Sequence, residues 1–293
     1  MRYSSTLKLP LLPIMLVLLL ATSCVNEDNS NCVQYAITTQ LVDKKGTILP
    51  DSTVGNVRAY LFLNNKFERI VTAESGGKYL ISFDGNTKAT LVAFGNMNSD
   101  SVSIHTPNEG DDISTISVGL LSTRSSANYF SSPTYLFYGR FDYTSVKSGS
   151  TTTALLPMYN QHAQVHVVVK HLQSKFGNGN YQIVLQGFRN AITFDGTITG
   201  DSVTYSPSAA FDTDDKYTSE SINTLPTKSD EYVTVSIYKD GELFWQTSTD
   251  SDGNKVTLAA EDDKCFVIDV ESINVFLQVM PWSEYVEQNI TFS

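Results

Sequence analysis

Apolar and polar residues alternate with period two in segment after segment from residue 33 to residue 280, and long helical periodicity is absent. In VQYAITTQL, Val33, Tyr35, Ile37 and Thr39 share one side, a strand signature, and a turn follows at residues 43–46. NVRAYLFL (residues 56–63) and FERIV (67–71), separated by Asn64, Asn65 and Lys66, predict a hairpin. KYLISF (78–83) and ATLVAFGN (89–96) predict a second pair turning at Asp84-Gly85-Asn86. The polar stretches 97–112 and 120–132 read as long loops, the second with a short helical piece between Leu121 and Tyr129. TYLFYGRF (134–141) and TTTALLPM (151–158) are strand-like, with Pro157 as punctuation.

The second half repeats the pattern. In QHAQVHVVVK, Ala163, Val165, Val167 and Val169 fall on one face and Gln164, His166, Val168 and Lys170 on the other. YQIVLQGF (181–188) and GTITGDSVTY (196–205) follow, and YVTVSIY and ELFWQT flank Lys239-Asp240-Gly241, a strong hairpin cue. KVTLA, CFVIDV and INVFLQVM are the last predicted strands, ending at Pro281-Trp282. The chain therefore reads as all-β, and its length past residue 23 suits two sandwich units, 33–158 and 159–293, better than one.

One segment breaks the pattern. Arg2 and Lys8 precede an apolar run from Leu11 to Leu20, and Ala21, Thr22 and Ser23 lead into Cys24. A run this short is a signal-peptide core, since a spanning helix needs roughly 20 apolar residues. Small residues directly before a cysteine form a lipobox, so residues 1–23 read as a lipoprotein signal and Cys24 as the lipid attachment site, a plain secretory signal being the alternative. Fatty chains there contribute about 0.8 kcal/mol per buried methylene, enough for lasting attachment when two or three are present. Residues 24–32, reading CVNEDNSNC, form a tether.

Net charge is −11, and loss of Arg2 and Lys8 with the signal takes it to −13. That balance opposes nucleic acid, whose binding needs basic patches. With Cys24 acylated, Cys32 and Cys265 remain, to pair or stay free.

Candidate chemistry is sparse. His162 and His166 lie four residues apart in a strand, about 13 Å, too far to share a metal ion, and His171 points to the opposite side, so all three read as surface histidines. Asp250, Asp252, Asn254 and Glu261 imitate a calcium loop, but Lys255 stands where glycine is required, so a turn is favoured. No nucleophile elbow or phosphate-cradling loop occurs, and the reading is of a non-enzyme without cofactor.

Taken in order, these pieces resemble the FimB-type fimbrial anchor family, the lipoproteins that hold type V pili to the outer membrane. Cys24 precedes an acidic spacer and Cys32. NVRAYLFLNNKF, LVAFGN (91–96), YLFYG (135–139) and INVFLQVMPW (273–282) are similar to successive family segments. The resemblance implies two tandem transthyretin-like β-sandwiches. It also implies a basal subunit, lipid-held at the cell outer membrane, that binds the adjacent fimbrial stalk subunit and ends fibre growth. In stalk subunits of this class a protease removes the first strand to open a groove for the next subunit. Here the equivalent strand, residues 33–41, is expected to stay, because cutting it would free the body from its lipid. Val286, Ile290 and Phe292 are the expected strand-exchange contact with the stalk. A surface lipoprotein that binds glycan or host protein through loops and exposed aromatics is the alternative.

Overall fold

Strands account for nearly all regular structure in the computed structural model, which describes residues 32–97, 102–104, 106–120, 124–125, 129–143, 151–271 and 275–289. The N-terminal strands are β1 (Cys32–Leu41), β2 (Val57–Leu63), β3 (Lys66–Val71), β4 (Lys78–Asp84) and β5 (Ala89–Gly95). Short strands follow: β6 (Val102–Ile104), β7 (Ser117–Leu120), β8 (Arg124–Ser125) and β9 (Tyr129–Phe130). Then come β10 (Phe137–Tyr143) and β11 (Thr151–Asn160), so Pro157 does not end its strand.

These elements form a sheet of order β3-β2-β5-β10-β11-β1-β4. It is not flat. β10 meets β11 only at Phe137–Asn160 and Tyr138–Tyr159, and the far edges approach again at the Ala73–Tyr79 bridge. The sheet thus doubles over a core that includes Tyr35, Ile37, Leu61, Ile81, Leu91 and Leu156. The β2–β3 turn is the predicted hairpin, with Asn64 and Asn65 both at positive φ (51° and 65°), as a two-residue turn matching strand twist requires.

The predicted β4–β5 pair does not form. β4 pairs with β1, and β5 with β2 and β10, so the 84–88 turn carries the chain from one side of the fold to the other. Alternation fixes which side chains face inward but leaves the partner strand open.

The C-terminal half contains β12 (Ala163–Lys170), β13 (Tyr181–Thr193), β14 (Ile198–Tyr205), β15 (Ala209–Phe211), β16 (Lys216–Ser219) and β17 (Ile222–Thr224). After them come β18 (Thr234–Lys239), β19 (Glu242–Thr247), β20 (Asp263–Asp269) and β21 (Leu277–Pro281), with helices α1 (Leu172–Phe176) and α2 (Trp282–Asn289). One sheet runs β15-β16-β12-β20-β21, with β17 also on β12; the other runs β19-β18-β13-β14-β9-β8, with β7 on β13 and β6 on β7. Between them lies a core including Val165, Val167, Ile183, Phe188, Ile237 and Phe266. The two halves share a device: β1 runs parallel to β11, and β12 parallel to β20.

Several expected features change. The stretches read as loops supply β6, β8 and β9, and β7 lies between them; β7 pairs with β13 and β9 with β14, while β6 adds to β7, and the piece read as helical contributes Arg124–Ser125 paired with Phe130 and Tyr129. KVTLA is bridged only at Lys255, although Val256 and Leu258 are buried. Beyond the last predicted strand, residues Trp282–Asn289 form a helix, which the sequence reading did not anticipate.

A third core explains why ATLVAFG is apolar throughout: β5 is buried on both faces. Leu91 faces the first core, whereas Val92 and Phe94 join Tyr60, Phe62, Ile192 and Phe194 in a cluster spanning the two halves. Phe194 sits at its centre, edge-on to Tyr60 at 4.8 Å and to Phe94 at 5.0 Å between ring centroids. Such pairs add about 0.5–1.5 kcal/mol each beyond burial.

Candidate functional site

Two places in this fold have the properties of a working surface. The first is the seam occupied by β1. It pairs parallel to β11 from Gln34–Thr151 to Leu41–Met158 and antiparallel to β4 from Cys32–Asp84 to Thr38–Lys78. Val33, Tyr35, Ile37 and Leu41 point into the core, with Ile37 fully buried. The chain thus fills the groove between β4 and β11 with its own first strand, leaving neither neighbour an open ladder there.

The second is a cleft of about 300 Å³ where the halves meet, walled by Asp43, Tyr135, His162, Asn223, Glu261 and Asp262 among others. His162 closes the short 161–162 link between β11 and β12 and is 2% exposed, which corrects its reading as a surface residue. Neither ring nitrogen has a hydrogen-bond partner. Burial holds its pKa down to about 4, so the ring is neutral at physiological pH. Its carbonyl accepts the Glu261 N–H at 2.8 Å, and Glu261 takes positive φ (60°), which turns the chain into the cleft wall. Asn223 Oδ1 and Glu261 Oε1 are also buried without partners.

Glu261 is engaged through its other oxygen, Oε2, which accepts the Lys44 N–H, and the neighbouring carboxylates have partners too. Asp43 accepts the N–H groups of Lys45 and Thr47 and so closes the turn after β1, which holds its pKa below the ordinary carboxylate value. Asp262 accepts Ala259 N–H at 3.0 Å. Lys44, from the same turn as Asp43, crosses to the other half, donating Nζ to the Glu261 carbonyl at 2.7 Å and pairing with Asp262 at 3.5 Å. Sequence reading missed Asn223 and Asp262 and weighed Glu261 only as part of a calcium loop, because the three come from segments that only folding brings together.

The other two histidines among the described residues, His166 and His171, have structural partners. His166 stacks on Trp282 with centroids 3.9 Å apart and lies 3.3 Å from Asp263; burial lowers its pKa against the pull of that carboxylate. His171 holds Asp269 at 2.8 Å. Asp250 caps a turn by accepting Asp252 and Asn254 N–H, as the turn reading of that loop requires. Cys32 and Cys265 are unpaired thiols. Among the described residues, no three His, Cys, Asp or Glu side chains are grouped to hold a metal ion, and no helix is long and apolar enough to cross a membrane.

Of the expected site residues, Cys24, Ile290 and Phe292 lie outside the described residues. Val286 is half-buried in α2 rather than in a strand. The helix forms because Tyr285 and Trp282, one turn apart, bury against Val168, Cys265 and Val267 on the outer face of β12 and β20. That contact also explains why an apolar Val168 shares a face with Gln164, His166 and Lys170. Any strand exchange through Val286 requires this helix to unwind.

A sequence model of the fimbrillin-A associated anchor proteins Mfa1 and Mfa2 matches residues 27–287. No curated protein matches the chain. Among solved structures, the fimbrial anchor protein Mfa2 from Porphyromonas gingivalis is similar, with TM-score 0.60 at 16% identity over 85% of this chain and 98% of that one. A candidate adhesin from Bacteroides ovatus gives TM-score 0.59 at 14% identity, covering 86% of this chain and 93% of its own. A candidate polysaccharide-binding protein from Bacteroides thetaiotaomicron gives 0.62 at 13%, covering 86% and 99%. At these identities the structural likeness is one of fold.

Proposed function

This chain belongs to the fimbrillin-A associated anchor family, and on that premise we propose that it is a fimbrial anchor, held at the outer membrane by acyl chains on Cys24 and bound to the adjacent stalk subunit. The observation that carries the reading is the pairing of β1 on both sides. An open groove in a sandwich invites a partner's extended segment, which supplies the missing ladder hydrogen bonds and fills the side-chain pockets. Here the groove between β4 and β11 is occupied by residues 32–41 of the chain itself. No incoming strand can enter without expelling β1, and growth of a fibre built by strand addition ends at such a subunit. Because β1 follows directly on the tether, the strand that blocks growth is also the link to the lipid.

The stalk contact is placed in the C-terminal segment at Val286, Ile290 and Phe292. An eight-residue helix has little stability of its own, so α2 is held by its packing and can be exchanged for contacts to a partner. The reading involves no catalysis.

Replacement of Cys24 by Ala in cells tests it. The variant is expected to leave the outer-membrane fraction and to shed fibres into the medium. Mass spectrometry of the unaltered protein is expected to find a diacylated Cys24 amino terminus with residues 33–41 still attached. Persistence of the variant in the membrane would refute the lipid anchor, and a mature protein cut after residue 41 would refute the blocked groove.

A further inference from the structure

We propose that the cleft between the two halves is a binding site for a guanidinium group. The inference starts from unsatisfied atoms. Leaving a buried polar atom without a partner is unfavourable, and three residues of one cleft carry such atoms: both His162 nitrogens, Asn223 Oδ1 and Glu261 Oε1. His162 is 2% exposed, so its ring is fixed by packing and cannot turn to bulk water for a partner.

Their chemistry specifies the ligand. Asn223 Oδ1 and a carboxylate oxygen only accept, and a neutral imidazole accepts at one nitrogen and donates at the other. Three of the four orphaned atoms therefore need a donor, and one group donating in several directions serves all three. Charge narrows it further: the cleft wall includes Asp43, Glu261, Asp262 and Asp263, with no Lys or Arg among the described residues that line it. Glu261 Oε2 already accepts the Lys44 N–H, and at the unpartnered Oε1 a cationic donor balances the carboxylate charge where a neutral hydroxyl would not. The rim already holds one cation, the Lys44 ammonium on the Glu261 carbonyl and Asp262.

Shape favours a planar cation over a compact one. Tyr135, 45% exposed, and Phe137 form an aromatic wall, and the Tyr135 ring centre lies 6.0 Å from that of His162. A guanidinium stacks on such a face while its edge donates in several directions, a combination that an ammonium cannot match. The volume, about 300 Å³, equals that of roughly ten waters at ~30 Å³ each and accepts an arginine side chain with room to spare. Either a free guanidino compound or an arginine on an extended segment of another protein presents this group. The site takes no part in the pairing of β1 with β4 and β11, so its failure would leave the anchor reading intact.

Isothermal titration of the full-length protein with agmatine tests the proposal, with citrulline amide, which carries a neutral urea in place of the guanidinium, as the comparison. Agmatine is expected to bind with millimolar or tighter Kd, and citrulline amide at least tenfold more weakly. Glu261→Gln and Asn223→Ala, each checked for an unchanged unfolding midpoint, are expected to weaken agmatine at least tenfold and threefold. Glu242→Gln, on the distant β18–β19 hairpin, should leave it unchanged. A short extended peptide with one central arginine separates the sources. Tighter binding than agmatine assigns the site to a protein segment, and equal binding assigns it to a free compound. No agmatine binding, equal binding of citrulline amide, or indifference to Glu261→Gln in a folded variant would each overturn the proposal.

Discussion

Ile37→Ala measures how firmly β1 is held in the body. Ile37 is 0% exposed and stands between Ala154 on β11 and Tyr79 on β4, facing a core that includes Leu156, Met158 and Ile81. Truncating a buried Ile removes its transfer free energy and leaves a cavity, at a typical cost of 2–5 kcal/mol. The walls of this cavity are side chains of regular strands paired on both sides, which collapse poorly, so the upper half of that range is expected. Folded domains hold only about 5–15 kcal/mol in total, so one side chain of the strand carries a large share. With a urea dependence of about 3 kcal/mol per molar, the midpoint falls by roughly 1–1.7 M with unchanged slope. Gln34→Ala is the control: it is exposed on the opposite face of the same strand, and surface changes of this kind stay within about 0.5 kcal/mol. Equilibrium urea unfolding followed by tyrosine and tryptophan fluorescence reads both. A shift for Ile37→Ala no larger than that of the control would mean that β1 is not part of the cooperative body, and the blocked-groove argument would fall with it.

Gly187 lies at the register shift of β13 against β14 with φ +97°, and a Cβ there would stand 1.9 Å from the Tyr232 carbonyl oxygen. Gly187→Ala should cost at least about 2 kcal/mol in urea unfolding, whereas Gly76→Ala, at φ +89° with open space around it, should cost only about 1. His162 has a folded-state pKa of about 4 against 6.5 unfolded, so the unfolded chain binds the extra proton between those values. Stability from this group is complete above pH 6.5 and is lost as pH falls toward 4, on the order of 3 kcal/mol, and His162→Gln should flatten that part of the stability curve. Burial pushes the Cys265 thiol up to about 12, and only thiolate reacts with disulfide reagents. Cys265 should therefore stay unlabelled at pH 8 in native protein, and unreduced protein in denaturant should show both Cys32 and Cys265 as free thiols.

What the sequence determined by itself was local: the strands, the inward faces, and the hairpins at Asn64-Asn65 and Asp240-Gly241. Backbone alternation and positive-φ turn residues act between near neighbours, so they are readable in order along the chain. Val33, Tyr35 and Ile37 face the core as their spacing dictates, and Ala163, Val165, Val167 and Val169 do the same in the second half. The unbroken apolar run of β5 announced burial on both faces without saying what covers the second one. That was settled by Phe194, a hundred residues away in the other half. Partner choice was likewise tertiary: β4 lies beside β1 and not β5, and residues 102–130 add strands to the C-terminal sheet, because pairing maximises burial over the whole fold and not between sequence neighbours. The C-terminal helix escaped notice for a related reason. Its eight residues are too few for a periodic signal, and they are helical because Trp282 and Tyr285 find an apolar face on β12 and β20. The cleft was least legible of all, since His162, Asn223 and Glu261 acquire common chemistry only when two cores dock and shut water away from the atoms between them.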